Sequence, residues 1–424
     1  MKNKKNHQVP TISKKYSDET IVEMLYNQDE TKTSFAIWKD GKVEIASKYK
    51  EKNGKILVPY KSTNNLIKHN IVLFPSKPIK YKSEKELISE IQSFIHKYVD
   101  LSPLFEKIAT YYILLSWVYD SFKELPYLRK RGDFGSGKTR FLQIVGSICY
   151  KPIFATGGAS TASLFHILDQ FRGTLIIDEG DFRFSDEKAE IIKILNNGNV
   201  EGFPVLRCQA NPNGEFNPIG FQVFGTKIIA TRAHYQDRAL ESRFLSEDFS
   251  PKKLRPDIPI TLPDKYKDEA LALRNKLLFY RFKKLGTVRA NEKLAIDSIE
   301  PRLNQMFIPL LSVIEDESVR DELKELAKIY SEEMVLDRGS DIEADVLFAI
   351  KELLNEENKL SIKEVSNKFF LLFGENYNRS ITPKWIGRII RKKLGLKTVK
   401  SHGSYIIDSS QLKKLKLLFE RYDL

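Results

Sequence analysis

The sequence predicts an α/β fold built on a parallel sheet, and three stretches predict it. Gly132-Asp133-Phe134-Gly135-Ser136-Gly137-Lys138-Thr139 fits G-x-x-x-x-G-K-[ST] at every fixed position, the pattern of a loop that cradles phosphates between a strand and a helix. Phe141, Leu142, Ile144, Val145 and Ile148 follow with helical spacing. About 40 residues further on, Gly173-Thr174-Leu175-Ile176-Ile177-Asp178-Glu179 reads as a buried parallel strand ending in two acids.

The chemistry explains these residue types. Three glycines let the backbone wrap an anion without Cβ clashes. The loop N–H groups then converge on phosphate, aided by the start of the helix at Lys138. Lys138 reaches the β/γ-phosphates in such a loop and the Thr139 hydroxyl ligates Mg²⁺. Asp178 is the candidate second magnesium ligand and Glu179 the candidate for orienting an attacking water. Gly132, Asp133, Phe134, Gly135, Ser136, Gly137, Lys138 and Thr139 are therefore the candidate nucleotide contacts. A lone I-I-D-E is more often a strand running into a helix cap. The two motifs in this order and spacing predict a P-loop NTPase that uses ATP and Mg²⁺. One stretch dissents: the strand feeding the loop is Tyr127-Leu128-Arg129-Lys130-Arg131, and three charges on a central strand are costly to bury.

The chain has 424 residues, a net charge of +13 and a hydrophobic content of 42%. That length suits two or three domains, and the basic excess favours a polyanion, nucleic acid first. Cys149 and Cys208 are the only cysteines, so no disulfide framework or cysteine zinc site is expected, and a reducing cytoplasm fits. The basic N-terminus lacks the apolar run of a signal peptide. The longest apolar run, Tyr111 to Tyr119, is too short for a bilayer, so no membrane partner is expected.

In chain order, residues 1–30 read as a mobile basic tail with a short helix, and 31–82 as a small β-rich module. Its hairpin is signalled by Asp40-Gly41 between Ser34–Trp38 and Lys42–Ile45. Further strands are expected at Ile56–Val58 and Ile71–Phe74. Residues 83–124 read as helical: Ser83 caps a first helix with Glu84 and Glu86 near its start. A second, Leu104 to Phe122, is apolar nearly all round and so buried. The core is expected at 125–250, with strands at Lys151–Phe154 and Lys227–Thr231 and helices at Thr161–Phe171 and Asp186–Leu195. Between them, Phe203–Cys208 and Phe216–Phe224 flank turn residues 209–215, the pattern of a hairpin.

Asp237-Arg238-Ala239-Leu240-Glu241-Ser242-Arg243-Phe244 follows. The order of P-loop, acidic strand, hairpin, strand ending in Thr231 and helix ending in Ser-Arg-Phe resembles an AAA+ ATPase. It is most similar to helicase-like ATPases of phages, plasmids and integrated elements, related to superfamily 3 and minichromosome-maintenance-type helicases. The resemblance covers about 85–335. It implies that Thr231, at a position more often Asn, positions water. It also implies that Arg243 is an arginine finger reaching a neighbouring subunit, with Arg238 as the alternative. The competing reading of both arginines is a surface salt bridge to Asp237 or Glu241. The hairpin is either a pore loop in which Arg207 touches DNA or purely structural. Residues 251–337 become a helical lid in which Arg302 takes a sensor position.

Arg338-Gly339-Ser340 reads as a linker. Beyond it, 341–424 reads as three helices (Asp341–Asn355, Ser361–Phe373, Thr382–Leu394), a strand pair around 400–404 and a last helix. That order resembles a winged helix, whose third helix would offer Lys384, Trp385, Arg388, Arg391 and Lys392 to a DNA groove, with Lys397 and Lys400 from the wing. From Arg379 onward twelve basic residues face three acidic ones, which favours DNA over a protein-docking role.

The expected fold class is thus α/β: an AAA+ P-loop parallel sheet with a helical lid, a small N-terminal β-rich module and a C-terminal winged helix. The expected function is an ATP-hydrolysing DNA helicase or translocase in replication of a mobile element. It would bind DNA and work as a homo-oligomeric ring, because an arginine finger needs a neighbour. The alternatives are an ATP-dependent initiator or remodeller that does not unwind, and a winged-helix regulator with a degenerate P-loop.

Overall fold

The structure, a computed structural model, describes residues 8–133, 135–156, 160–178, 180, 186–208, 217–232, 235, 237–248, 254–355, 360–374, 377, 381–401, 404–422 and 424. Side chains at 161, 186–189, 238, 332–341, 355, 392, 409, 420 and 421 lie outside that description. The chain divides into two compact units, residues 1–327 and 328–424.

The first unit opens on strands. β1 (Gln8–Thr11), β2 (Ser13–Lys15) and β3 (Ile21–Asn27) occupy the region expected to be a tail and helix. Ile21, Val22, Met24 and Leu25 are all buried, and apolar residues on both faces of a strand need cover on both sides. β4 (Lys32–Lys39) and β5 (Lys42–Ala46) complete a four-stranded antiparallel sheet in the order β2-β3-β4-β5. The expected turn is there: Lys39 pairs with Lys42, and Asp40 (φ +50°) and Gly41 (φ +74°) are both left-handed, as a tight primed hairpin turn requires. β6 (Tyr49–Lys50) and β7 (Ile56–Pro59) form a second small sheet with β1. A short α1 (Asn65–Lys68) follows. The strand expected at Ile71–Phe74 is reduced to one antiparallel bridge, Val72 to Ile153.

α2 (Glu84–Tyr98) begins as expected, with the Ser83 side chain accepting from the Glu86 amide. α3 (Pro103–Trp117) is capped by Ser102 and is buried from Ile108 to its end. The central sheet comes next. β8 (Tyr127–Arg131), β9 (Ile153–Thr156), β10 (Leu175–Asp178), β13 (Lys227–Thr231) and β14 (Phe244–Asp248) are all parallel, in the order β14-β8-β13-β10-β9. Between them lie α4 (Lys138–Ser147), α5 (Thr161–Phe171), α6 (Asp186–Asn197) and the short α7 (Arg238–Glu241). β11 (Val205–Arg207) and β12 (Ile219–Phe221) pair antiparallel as the expected hairpin, whose connection at 209–216 lies outside the described residues.

β14 is the strand that sequence pattern concealed, because Ser246-Glu247-Asp248 reads as loop. Its partner explains it. In the parallel register Ser246 lies beside Arg129, Glu247 beside Lys130 and Asp248 beside Arg131. The buried Arg129 donates from Nε to Ser246 Oγ at 2.9 Å, Lys130 Nζ lies 3.1 Å from Glu247 Oε2, and Arg131 pairs with Asp248. Lys130 and Arg131 thus meet acids in register on β14, while the Arg129 charge is met by Glu241 of α7. Isolated charges there would be costly to bury; paired ones are tolerable.

α8 (Tyr266–Lys284) and α9 (Pro301–Ser312) fill the region expected as a separate lid. α8 does not stand apart: it packs on α2, α3 and α4. Its Arg281 is fully buried, donating to Glu23 of β3 at 2.8 Å, to both oxygens of Asp120 at 2.8 Å and to the Trp117 carbonyl at 2.7 Å. Burial pushes the Asp120 carboxyl up, but the Arg281 charge and hydrogen bonds outweigh it and hold it below its ordinary value. Tyr150 caps the cluster by donating to Glu23 at 2.8 Å. Trp38 of β4 stacks on Phe282 of α8 at 5.6 Å between centroids. The N-terminal sheets thus share one core with the parallel sheet.

The unit boundary falls inside α10 (Glu317–Asn355). Arg338-Gly339-Ser340, expected as a linker, is helical. A single Gly costs a helix interior only about 1 kcal/mol, which the strong helix formers on both sides offset. In the second unit, α11 (Ile362–Phe373) starts on a capping box of Ser361 and Glu364. α12 (Pro383–Lys392), the hairpin β15 (Thr398–Ser401) and β16 (Ser404–Ile407), and α13 (Leu412–Arg421) follow. They close on their own core around Ile350, Val365, Phe369, Ile386, Ile390 and Leu415.

The β8–β14 ladder gives a direct prediction. Glu247→Gln leaves the Lys130 charge buried without its counter-ion, and should destabilise the protein by about 3 kcal/mol, the range for breaking buried pairs. Lys130→Met in the same background should recover most of that loss. Thermal unfolding of the two variants checks it; equal melting points for single and double variant would show that Lys130 does not depend on Glu247.

Candidate active site

The loop between β8 and α4 has the geometry that its glycines allow. Gly135 and Gly137 both sit at φ +74°, a conformation that L side chains rarely adopt. Gly137 is the residue from which α4 starts, so Lys138 and Thr139 are its first two residues. Lys138 Nζ lies across the loop, donating to the carbonyls of Gly132 and Asp133, the latter at 2.6 Å, and to Ser136 Oγ at 3.3 Å. The loop is thus folded around a cation at the place where phosphate oxygens would be held. Phe134 lies outside the described residues.

Thr139 Oγ1 donates to Asp178 Oδ2 at 2.7 Å, joining residues 39 apart in sequence. Asp178 ends β10, and the hydroxyl and carboxylate are both hard oxygen ligands suited to Mg²⁺. Glu179 lies outside the described residues. β13 separates β8 from β10 and brings Thr231 to the end of the sheet between loop and acid. Thr231 is fully buried, and its Oγ1 has no hydrogen-bond partner among the described residues. An orphaned buried hydroxyl costs about 1–3 kcal/mol, and such a group beside a phosphate loop is suited to holding a ligand or water. These residues fit a magnesium–nucleotide: a glycine-rich loop at a helix start, one cation, two hard oxygens and a hydroxyl without a partner among the described residues.

A cleft of about 1310 Å³ runs from this loop. Loop residues 135–140, Asp178 and Arg232 line it. A second wall comes from Tyr98, Val99, Leu101 and Pro103 around the α2–α3 connection and from Leu254, Ile258 and Ile260, with His96, Asp100 and Arg255 also in the lining. Arg140 fastens that second wall by donating to the carbonyls of Pro259 and Ile260. Sequence reading missed Arg232 and this whole wall, which no motif marks.

Arg243 is placed elsewhere. Among the described residues it does not line this cleft. Its Nη1 donates to Asn196 Oδ1, and Asn196 donates in turn to Asp237 Oδ2 at 3.0 Å. Burial, reinforced by the charge of Arg302, lowers its affinity for a proton below the ordinary arginine range. Arg302, expected at a nucleotide-sensing position, donates to the Ala239 carbonyl at 2.6 Å, on the α7 turn and outside the cleft. The side chain of Arg238 lies outside the described residues.

The expected DNA contacts divide. Lys384, Arg388 and Arg391 are exposed on α12 at the spacing of one helical face, while Ile386, Ile389 and Ile390 point into the core. Lys397 and Lys400 are exposed at and on β15. Trp385 belongs to packing: it meets Phe369 edge-on at 6.0 Å and lies 6.2 Å from Tyr377. Arg207 is ion-paired with Glu190 and sits 4.6 Å over the Phe165 ring, so its guanidinium is held against its own subunit. The Lys392 side chain lies outside the described residues.

No protein-family profile matches the chain, and no curated protein matches it. Among solved structures it is similar to the NrS-1 C-terminal region (13% identity, 91% of this chain and 96% of that one, TM-score 0.31). It is similar to SCCmec type IV Cch, described as an active helicase (12% identity, 96% and 95% covered, TM-score 0.39). A third is an MCM homolog from Methanopyrus kandleri (10% identity, 74% and 68% covered, TM-score 0.38). At these TM-scores the likenesses carry no weight for the chemistry of the site. No described helix is long and apolar enough to cross a membrane.

The loop conformation can be tested against a built-in control. Gly137→Ala and Gly41→Ala both place a side chain at φ +74° with open space around it, so each should lose about 1–2 kcal/mol of stability from backbone strain. Only Gly137→Ala should weaken binding of a fluorescent ATP analogue. Equal binding by the two variants would separate the loop from nucleotide.

Proposed function

We propose that this chain is an ATP-hydrolysing motor of the AAA+ type, a DNA helicase or translocase serving replication of a mobile genetic element. The observation that carries the reading is the 2.7 Å contact between Thr139 Oγ1 and Asp178 Oδ2. It joins the two motifs that the sequence singled out, at the end of a parallel sheet where ligands of such folds bind. In this reading the loop amides and Lys138 hold the phosphates, and Thr139 and Asp178 hold Mg²⁺. The ion, when bound, neutralises phosphate charge. Thr231 and Glu179 position the attacking water, and the apolar wall around Val99, Leu101 and Ile258 takes the base.

The reading extends to assembly and DNA. Arg243 does not line its own cleft, which suits a residue that completes a neighbour's site in a ring. In the second unit, the helix order, the hairpin and the exposed Lys384, Arg388 and Arg391 support a winged helix that binds duplex DNA. The alternative of a degenerate, non-hydrolysing loop drew on the charged strand Arg129–Arg131 and on Thr231, at a position more often Asn. Counter-ions on β14 and α7 answer the first point, and the buried Thr231 hydroxyl, without a partner among the described residues, supports a water-positioning role.

ATP turnover with and without single- and double-stranded DNA is the primary test. Wild type should hydrolyse ATP, Lys138→Ala should not bind it, and Glu179→Gln should bind without turnover. Arg243→Ala should be inactive alone and regain activity when mixed with Lys138→Ala subunits, which supply an intact arginine. Mixed assemblies that form normally and stay inactive would remove the trans role.

DNA binding makes a separate prediction. Removing one phosphate-binding cation should flatten the salt dependence of duplex binding by about 0.9 in log–log slope. The triple variant Lys384→Ala, Arg388→Ala, Arg391→Ala should therefore bind with a slope shallower by about 2–3. Substituting Lys413, Lys414 and Lys416 on α13 should change it less. An unchanged slope in the first triple variant would place the DNA surface elsewhere.

A further inference from the structure

Resting on that ATPase reading, we propose that Glu241 and Tyr235 are positioning residues that couple the Arg243 turn to the strand carrying the magnesium ligand Asp178. Nothing in the phosphate-loop or acidic-strand motifs points to either residue. The case is geometric and begins at Arg129, which is 1% exposed on the strand that delivers the P-loop. Its Nη1 donates to Glu241 Oε2 at 2.8 Å and its Nη2 to Glu241 Oε1. A buried guanidinium cannot release its carboxylate without leaving an uncompensated charge. Glu241 is therefore locked to β8.

Glu241 has a second partner. Its Oε2 accepts from the Tyr235 amide at 2.9 Å. The Tyr235 ring lies 5.5 Å from Phe244 and 5.6 Å from the Arg129 guanidinium, so ring and amide are both held by the same network. The Tyr235 hydroxyl donates to the Gly180 carbonyl at 3.0 Å. Gly180 stands two residues after Asp178, and its own amide donates to Ala230 at 2.8 Å. A Cβ there would lie 2.5 Å from Ile229 Cγ2 and 3.2 Å from the Tyr235 hydroxyl. The backbone leaving β10 is thus wedged between β13 on one side and Tyr235 on the other.

The other end of the connection is α7. Glu241 is its last residue, two before Arg243, whose amide donates to Leu240 at 3.0 Å and whose carbonyl accepts from Tyr127 of β8 at 2.8 Å. Arg243 does not line its own cleft; its Nη1 meets Asn196. Engagement of Arg243 with a neighbour's phosphate would act on the turn that presents Glu241 to β8 and to Tyr235, and Tyr235 in turn holds Gly180. Two hydrogen bonds therefore join a group acting on the next subunit to the hydrolytic strand of its own. Such a connection sets the geometry of turnover and leaves the phosphate loop untouched, so it should act on kcat and spare KM.

Tyr235→Phe is the test, because it removes one hydroxyl and keeps the ring. In the full-length protein we expect the KM for ATP and the melting temperature to match wild type while kcat falls about tenfold, the scale of a small misplacement of reacting groups. Hydrogen exchange supplies the second readout. Arg243→Ala should speed exchange in the peptide covering 175–180 when the wild-type tyrosine is present, and should add nothing in the Tyr235→Phe background. Unchanged kcat, or strictly additive exchange effects, would overturn the coupling while leaving the ATPase intact. A wild-type protein with no Lys138-dependent turnover would instead overturn the ATPase reading, and the coupling with it.

Discussion

The structure depends on the neutralisation of one strand. β8 carries Arg129, Lys130 and Arg131 into the middle of a parallel sheet, directly before the loop that holds the candidate nucleotide contacts. In a parallel pair residues advance together, and β14 sets the neutral Ser246 beside Arg129 and the acids Glu247 and Asp248 beside Lys130 and Arg131. The desolvation cost of such a set is met only if every member is paired, which makes β8 and β14 conditional on one another. Glu241 adds a carboxylate from outside the sheet. The P-loop strand, the edge strand and the α7 turn are consequently one electrostatic body.

A second buried charge cluster plays the same part for the N-terminal sheets. Arg281 of α8 binds Glu23 and Asp120, and Tyr150 seals Glu23 from above. Lys151 lies in the same surroundings, and burial pushes its ammonium down to about 8. Breaking any member would strand a charge in the core. The β-rich module is therefore built into the first unit by ion pairs as well as by apolar packing, and its strands share side-chain contacts with the sheet that carries the site.

Local pattern and long-range partnership divide what the sequence could reveal. β13 and α5 have the bounds that their apolar spacing predicts, and the Ser83 cap and the Asp40-Gly41 turn need no distant residue to form. β1 and β3 escaped because their reasons lie far away: β1 pairs with β7 and Glu23 is satisfied by Arg281, 258 residues later. β14 escaped because its acids look like loop until β8 is set beside them. The same holds for the site. Lys138, Thr139 and Asp178 are legible because their spacing matches known motifs, and the fold brings Thr139 and Asp178 together. Tyr235 and Glu241 hold positions that only the folded sheet defines. Trp385 packs on Phe369 and Tyr377; by sequence, an aromatic on a basic helix serves a core or a groove equally well.

The environment of Arg243 bears on what that side chain can do. It is half-buried, its Nη1 rests on a neutral amide oxygen of Asn196, and its Nε has no partner among the described residues. Burial disfavours its charge and the nearby Arg302 adds repulsion, partly offset by Tyr127 and Asp237. A guanidinium in that state gains more from meeting an anion than a solvated surface arginine would, because charge-assisted hydrogen bonds are roughly twice as strong as neutral ones. It gives up little in leaving Asn196. A surface salt bridge, the ordinary role of an arginine on a polar turn, would have placed Nη atoms on Glu241, yet Glu241 is occupied by Arg129. Glu241 is thus held on β8, Asp237 reaches Arg243 only through space and by way of Asn196, and the arginine Nε is left without a partner among the described residues.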